Sequence, residues 1–297
     1  MHPPPPYTTD ALQDHADSLL GFTPERTMSL AQELYQGVEI QGKQRALITY
    51  MRTDSTRVDP SALNMAKKAL AARSDSAEEM YRGRTWRPPG AAQDAHEAIR
   101  PTAPHEPELF PEKLEGELGE PLWELYRLIY YRFLASQMVP AVYHTTELDL
   151  ACAGKEARAV GHVLLDKGFL RIYRRMQPDY GRVESRVPAA SEGTEIPLVR
   201  AWPESRRTHP PVRYREGALV RTLKQKGIGR PSTYGDILRK IKCGNGGYGY
   251  LRKIRGTLRP TDRGRALCAY LRRKYEQVIS YDYTAYMEEE LDKIAQG

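Results

Sequence analysis

The three cysteines of this 297-residue chain, Cys152, Cys243 and Cys268, lie far apart and form no Cys-x-x-Cys pair. That spacing supports neither a zinc site nor a disulfide framework, and it fits a reducing, cytoplasmic compartment. No run of about 18 or more apolar residues occurs, so neither a transmembrane helix nor a membrane partner is expected. Residues 1–7 set four prolines after a histidine and lack the apolar stretch of a signal peptide. No internal repeat is visible. What remains is an ordinary soluble composition, 40% hydrophobic and 28% charged. It is long enough for two or three domains with a real core.

The charge is unevenly spread. Residues 200–275 hold 21 Lys and Arg against 4 Asp and Glu, a surplus of 17. With a whole-chain charge of +7, the remainder carries −10. So basic a segment attracts a polyanion, and nucleic acid is the obvious one. A basic face without a partner is the plainer reading.

The first ~135 residues read as mainly helical. Thr8 or Thr9 can cap a helix that Gly21 stops, and Thr23-Pro24 opens another that ends at Gly37. Asp59-Pro60 and Pro121 open two more. Between them, residues 46–50 read as a short buried strand that ends in the polar loop Met51-Arg52-Thr53-Asp54-Ser55. Residues 142–150 and 162–173 are rich in β-branched and aromatic side chains with glycines between, which predicts an antiparallel sheet with long hairpins. After Pro210-Pro211 the pattern returns to helices, over 218–226, 232–242 and 262–275. A glycine-rich turn over 244–249 has short strands around it. The acidic stretch Glu288-Glu289-Glu290-Leu291-Asp292 reads as a last helix.

Three clusters could carry chemistry. Tyr50 ends the short strand with Arg52 two residues on. A tyrosine can attack a DNA phosphodiester and hold the phosphate in a bond from which it can leave again. Arg suits the non-bridging oxygens through its fork geometry and permanent charge. With 19 tyrosines in the chain, a structural role is the default for any one. His96 and Arg100 are four apart, so on a helix they share a face and could grip one phosphate; a surface helix with a lone His is the alternative. In Gly227-Ile228-Gly229-Arg230-Pro231-Ser232-Thr233-Tyr234, two glycines permit close approach of the backbone. Ser232 can cap the following helix, and Arg230 and Thr233 could complete a phosphate seat at its start. No Gly-Lys-Ser/Thr closes the segment, so it is not a nucleotide P-loop. A plain capped helix is the alternative.

Taken together, the order and spacing of these clusters resemble bacterial type IA DNA topoisomerases. The resemblance rests on Ile48-Thr49-Tyr50-Met51-Arg52-Thr53-Asp54-Ser55, then Ala92-Gln93-Asp94-Ala95-His96-Glu97-Ala98-Ile99-Arg100-Pro101-Thr102, then residues 227–234. It extends to Pro5-Pro6-Tyr7-Thr8-Thr9, to Arg26-Thr27-Met28 and to Tyr283-Thr284-Ala285-Tyr286-Met287-Glu288, and so runs nearly end to end. Met51 after the tyrosine and Glu97 after His96 resemble the topoisomerase I branch rather than topoisomerase III.

The resemblance implies an α+β, multidomain arc of the family's toroid, its mostly helical domains joined by an antiparallel β strap. Residues 1–138 would carry the cleaving tyrosine, 139–213 the strap, and 214–297 a basic helical domain cradling single-stranded DNA. It implies Tyr50 as the nucleophile forming a 5′-phosphotyrosine, with Arg52 and His96 at the scissile phosphate. Asp54, Arg100, Arg230, Ser232 and Thr233 would serve DNA binding, the alternative for Ser232 being no more than a cap. The partners implied are single-stranded and negatively supercoiled DNA and the remaining domains of the same enzyme, in a monomer associated with the nucleoid. The family's Mg²⁺ is held by an acidic Toprim domain, and neither that cluster nor the C-terminal zinc ribbons occur in this sequence. No metal is therefore expected on these residues, and no relaxation of supercoils by them alone. A DNA-binding module without catalysis fits the charge split equally well. A recombinase-type tyrosine enzyme fits the motif order poorly.

Overall fold

In the computed structural model, described for residues 1–73, 77–86, 96–244 and 248–296, the chain folds into helices and three small antiparallel hairpins. The glycine-rich turn falls partly on residues 245–247, and part of the His96 motif falls on 92–95; both stretches lie outside the described residues.

The caps expected at Thr23 and Asp59 form, whereas Thr8, at the N-cap of the first helix, makes no side-chain cap bond and its hydroxyl donates to Asp10 instead. Helix α1 (Thr9–His15) runs into a π-helical turn, Ala16–Leu20, and ends at Gly21, whose φ of 72° lies in the left-handed region. Helix α2 (Pro24–Gln36) begins where the Thr23 hydroxyl accepts from Arg26 N–H at 3.2 Å. The hairpin of β1 (Val38–Ile40) and β2 (Lys43–Arg45) follows. Helix α3 (Pro60–Ala71) starts where Asp59 accepts from Ser61 N–H at 2.9 Å. The one-turn helices α4 (Ala77–Met80) and α5 (Pro111–Leu114) precede α6 (Glu120–Ser136). Helix α6 is the centre of the larger core: Leu125, Tyr126, Ile129, Tyr130, Phe133 and Leu134 are all buried in one cluster with residues of α1, α2 and α3.

The strand prediction over 162–173 needs correcting. Strand β3 (Val142–Cys152) pairs with β4 (Lys155–Asp166) in a single two-stranded ribbon turning at Ala153-Gly154. Both turn residues have positive φ, 48° and 72°, the geometry that matches the twist of a tight hairpin. Beyond β4 the aromatic residues form a helical turn, α7 (Leu170–Tyr173), because Phe169, Leu170 and Tyr173 fill the core around α6 rather than extend a sheet. Residues 188–213 form no helix or strand.

Helices α8 (Glu216–Gln225) and α9 (Tyr234–Cys243) share a second, smaller core of Val220, Tyr234 and Leu238. The hairpin of β5 (Leu251–Ile254) and β6 (Thr257–Pro260), then α10 (Asp262–Lys274) and α11 (Tyr281–Gln296), complete the fold. Among the described residues, no helix is long and apolar enough to cross a membrane.

The contact of α1 with α8 positions the site. Gly217 lies so close to α1 that a Cβ there would meet Asp14 Cα at 2.6 Å. The Asp17 carboxylate accepts from Gly217 N–H at 3.0 Å, Asp14 pairs with Arg221 at 3.2 Å, and Asp10 pairs with Lys224 at 2.6 Å. These aspartates recur at steps of four and three along the chain, so they form one acidic row facing the basic segment. Asp17 and Glu216 are almost fully buried, and Lys253 lies within 3.7 and 3.5 Å of them. Buried carboxylates require such partners.

Candidate active site

The Tyr50 segment is fixed from both sides. Leu47, Ile48 and Met51 are buried in the core, while Tyr50 keeps 37% of its surface exposed. On one side, Thr49 N–H donates to Arg100 O at 2.9 Å and Thr102 N–H donates to Leu47 O at 3.0 Å. Ile48 thus bridges Pro101, and Ile99 in turn bridges Tyr7. On the other side, Thr9 at the start of α1 receives the loop. Its N–H donates to Thr53 O at 2.8 Å, its hydroxyl donates to Met51 O at 2.8 Å, and it accepts from Thr53 N–H at 2.9 Å. Helix α1 therefore holds the loop of Tyr50, Arg52 and Asp54 with its first residue, and holds α8 with its acidic row.

The segment after α8 returns to the same place. Gly227 and Gly229 have φ of 70° and 75°, values that favour glycine. A Cβ at Gly229 would also meet Ile237 Cδ1 at 2.8 Å and the Tyr234 ring at 3.2 Å, so those side chains would have to shift. Thr233 Oγ1 accepts from Arg230 N–H at 2.8 Å and closes the turn into α9. The cap expected of Ser232 is not formed: α9 begins at Tyr234 and the N-cap position is Thr233. Ser232 is exposed instead.

These segments meet in a cleft of about 300 Å³ lined by Tyr50, Arg52, Thr53, Asp54, His96, Arg230, Pro231, Ser232 and Asp292. The His96 ring lies 5.7 Å from that of Tyr50, tilted by 30°, and Tyr35 meets Tyr50 edge-on at 5.5 Å. Six residues singled out from sequence, Tyr50, Arg52, Asp54, His96, Arg230 and Ser232, thus share one cavity. Thr233 stays out of it, in the turn.

Arg100 lies elsewhere, and the helix expected to join it to His96 is not there. Residues 96–98 are irregular, and Ile99 sits in its bridge to Tyr7. The backbone there pairs with Tyr7 and Thr49 instead of with itself, which no helix permits. The Arg100 guanidinium is 9% exposed as a residue, bound to Glu97 at 2.7 and 2.6 Å and donating to Pro101 O at 3.0 Å.

Arg230 faces carboxylates as well. Hydrogen bonding to Asp292, opposed by partial burial, holds its guanidinium above its usual range. Glu288 and Asp292 on α11, like Tyr35 on α2, were read from sequence only as parts of helices. Nothing in their local spacing pointed to a cleft that only the fold assembles. Burial pushes the phenol of Tyr234, beside the turn, well above its usual range, as do the charges of Asp10 and Asp54. Among the described residues, no three His, Cys, Asp or Glu side chains are grouped so as to hold a metal ion.

A sequence model of the DNA topoisomerase family matches residues 1–297. The chain belongs to the bacterial type IA DNA topoisomerase family. Among its relatives, the DNA topoisomerase 1 of Thermotoga maritima is 40% identical over 300 residues, covering 99% of this chain and 45% of that protein. The DNA topoisomerase 1 of Xylella fastidiosa (strain Temecula1) is 37% identical over 311 residues, covering 99% of this chain and 36% of that protein. The crystal structure of full-length topoisomerase I from Thermotoga maritima superposes with a TM-score of 0.82 at 36% identity, over 100% of this chain and 47% of that one. The α+β architecture is thus that of a type IA topoisomerase, and the chain spans less than half the length of these relatives.

Proposed function

We propose that this chain is the strand-cleaving part of a type IA DNA topoisomerase, an ATP-independent isomerase that relaxes negatively supercoiled DNA through a transient break in one strand. The observation that carries this reading is the convergence of Tyr50, Arg52, His96 and Arg230, from three separate segments, on one open cleft.

In this reading the Tyr50 hydroxyl attacks the phosphorus of a single strand. The P–O3′ bond breaks, the phosphate stays joined to Tyr50 at the 5′ end, and the leaving 3′ oxygen takes up a proton. The 3′ hydroxyl reverses the step after strand passage. The bond energy is kept in the phosphotyrosine, so resealing needs no nucleotide. Arg52 and Arg230 offset the charge that builds on the non-bridging oxygens, and the Ser232 hydroxyl can donate to the same phosphate. His96, its ring against that of Tyr50, holds the phenol in line for attack. Asp54, in the lining of the same cleft, is a further candidate for orienting this network. Phosphoryl transfer depends chiefly on this positioning and charge compensation. A divalent ion would add charge compensation at the phosphate, but the described residues offer it no cluster of ligands. In this reading Mg²⁺ belongs to an acidic domain outside these residues, and no step above passes through it.

The domain roles follow the same proposal: residues 1–138 present the tyrosine, 139–213 form the strap, and 214–297 bind the single strand, in a cytoplasmic monomer. Plasmid relaxation tests it. The chain alone should leave supercoiled plasmid unchanged. Adding the acidic domain of the Thermotoga relative with Mg²⁺ should give relaxation that Tyr50→Phe abolishes. Relaxation by the chain alone, or by Tyr50→Phe in the mixture, would contradict it.

A further inference from the structure

Three donors of the Gly229-Arg230 turn, Gly229 N–H and Arg230 Nε and Nη2, are taken by two carboxylates from a single helix. Gly229 N–H donates to Glu288 Oε1 at 3.0 Å. Arg230 offers Nε and Nη2 to the two oxygens of Asp292, at 3.3 and 2.6 Å, and lies 3.6 Å from Glu288. Its Nη1 donates to Gly229 O at 2.8 Å. Glu288 and Asp292 are four residues apart on α11, so they share a face, and Asp292 lines the cleft beside Tyr50. A backbone N–H beside an arginine fork, both aimed at anionic oxygens, is the arrangement by which proteins hold phosphate. A carboxylate presents the fork with the same paired acceptors as two phosphate oxygens. While Asp292 occupies Nε and Nη2, no phosphate can take that edge of the guanidinium.

We infer that Glu288 and Asp292 are internal phosphate mimics: they compete with the DNA backbone for the Gly229-Arg230 seat, and a strand reaches the Tyr50 cleft by displacing them. The inference rests on reading Arg230 as a phosphate ligand. Helix α11 is suited to yield, since none of its described residues is buried and the Asp292 side chain is 44% exposed. The partnership sets the affinity of the cleft and demands a well-placed polyanion, since one weakly bound anion gains too little to replace two fixed carboxylates. The opposite role, in which Asp292 holds Arg230 ready for phosphate, predicts the opposite sign.

The test is fluorescence anisotropy of a labelled single-stranded oligonucleotide with the full 297-residue chain and its Asp292→Asn and Glu288→Gln variants. Glu289→Gln, an exposed acid on the same helix, controls for the loss of one negative charge. Asp292→Asn and Glu288→Gln should each lower Kd roughly three- to tenfold, and Glu289→Gln by less than about twofold. Combined with Arg230→Ala, the effect of Asp292→Asn should shrink to that of the control. Binding that Asp292→Asn leaves unchanged, weakens, or tightens no more than the control would overturn the inference and leave the reading of the cleft intact. Absence of binding in every variant would overturn both.

Discussion

Replacing Arg100 by alanine separates a residue that builds the site from one that touches DNA. Nε and Nη2 of the guanidinium meet one and the same oxygen of Glu97, and Nη1 donates to Pro101 O, next to the backbone pairing that fixes Tyr50. Its side chain is 11% exposed and that of Glu97 19%, so water screens the pair only partly. Removing one member of a buried pair costs about 3–5 kcal/mol, because the other charge is left uncompensated. Water can reach Glu97, so roughly 2–3 kcal/mol is expected for Arg100→Ala. Urea denaturation gives this number directly. The salt dependence of single-strand binding gives the second half of the test. Each phosphate contact on a single strand contributes about 0.7 to the slope of log K against log salt. Arg230→Ala should lower the slope by about that amount with little loss of stability. Arg100→Ala should destabilise the chain and leave the slope unchanged. A lowered slope at unchanged stability for Arg100→Ala would refute the assignment and return Arg100 to the DNA interface.

Two other perturbations follow from the same structure. Burial first, then the nearby charges of Arg132 and Arg221, hold the His15 imidazole down to about 4, with its Nδ1 2.8 Å from the Tyr7 hydroxyl. The unfolded chain takes up this proton near pH 6.5, so below that pH protonation favours unfolding, and the loss continues until the folded pKa is reached. Between pH 7 and 4 the wild type should therefore lose up to about 3 kcal/mol more than His15→Gln in urea titrations; equal losses would contradict the assignment. Gly229→Ala should cost roughly 2–3 kcal/mol, since the Ile237 and Tyr234 side chains must shift in addition to the left-handed strain. Gly227→Ala, which meets only Ala285 at 3.3 Å, should cost about 1–2 kcal/mol, and equal midpoints for the two variants would count against this geometry.

The helix ends were legible because capping is local: Thr23, Asp59 and Gly21 act on neighbours within a few residues. The cleft was legible only through the order of its motifs. Tyr50, His96 and Arg230 carry no local mark that distinguishes them from structural residues, and their meeting depends on contacts between segments up to about 200 residues apart, such as Asp17 with Gly217. The acidic row of Asp10, Asp14 and Asp17 could have signalled an opposing basic helix, but not which one. Two errors share one cause. The aromatics of 169–173 suit a strand as well as a core helix, and His96 with Arg100 suits a helix as well as an extended pair. Tertiary contacts with α6 and with Thr49 decided between them. The partners of Arg230 were out of reach for the same reason, since α11 approaches it across 62 residues.

The central claim is that Tyr50 becomes covalently bound to the 5′ side of a broken single strand. A 3′-labelled single-stranded oligonucleotide tests it directly, incubated with Mg²⁺, a separately supplied acidic domain from a relative, and either the wild-type chain or Tyr50→Phe. Denaturing electrophoresis should show a labelled protein adduct with the wild type and none with Tyr50→Phe. An adduct that persists in Tyr50→Phe, or one that forms only with a 5′-labelled strand, would contradict the account.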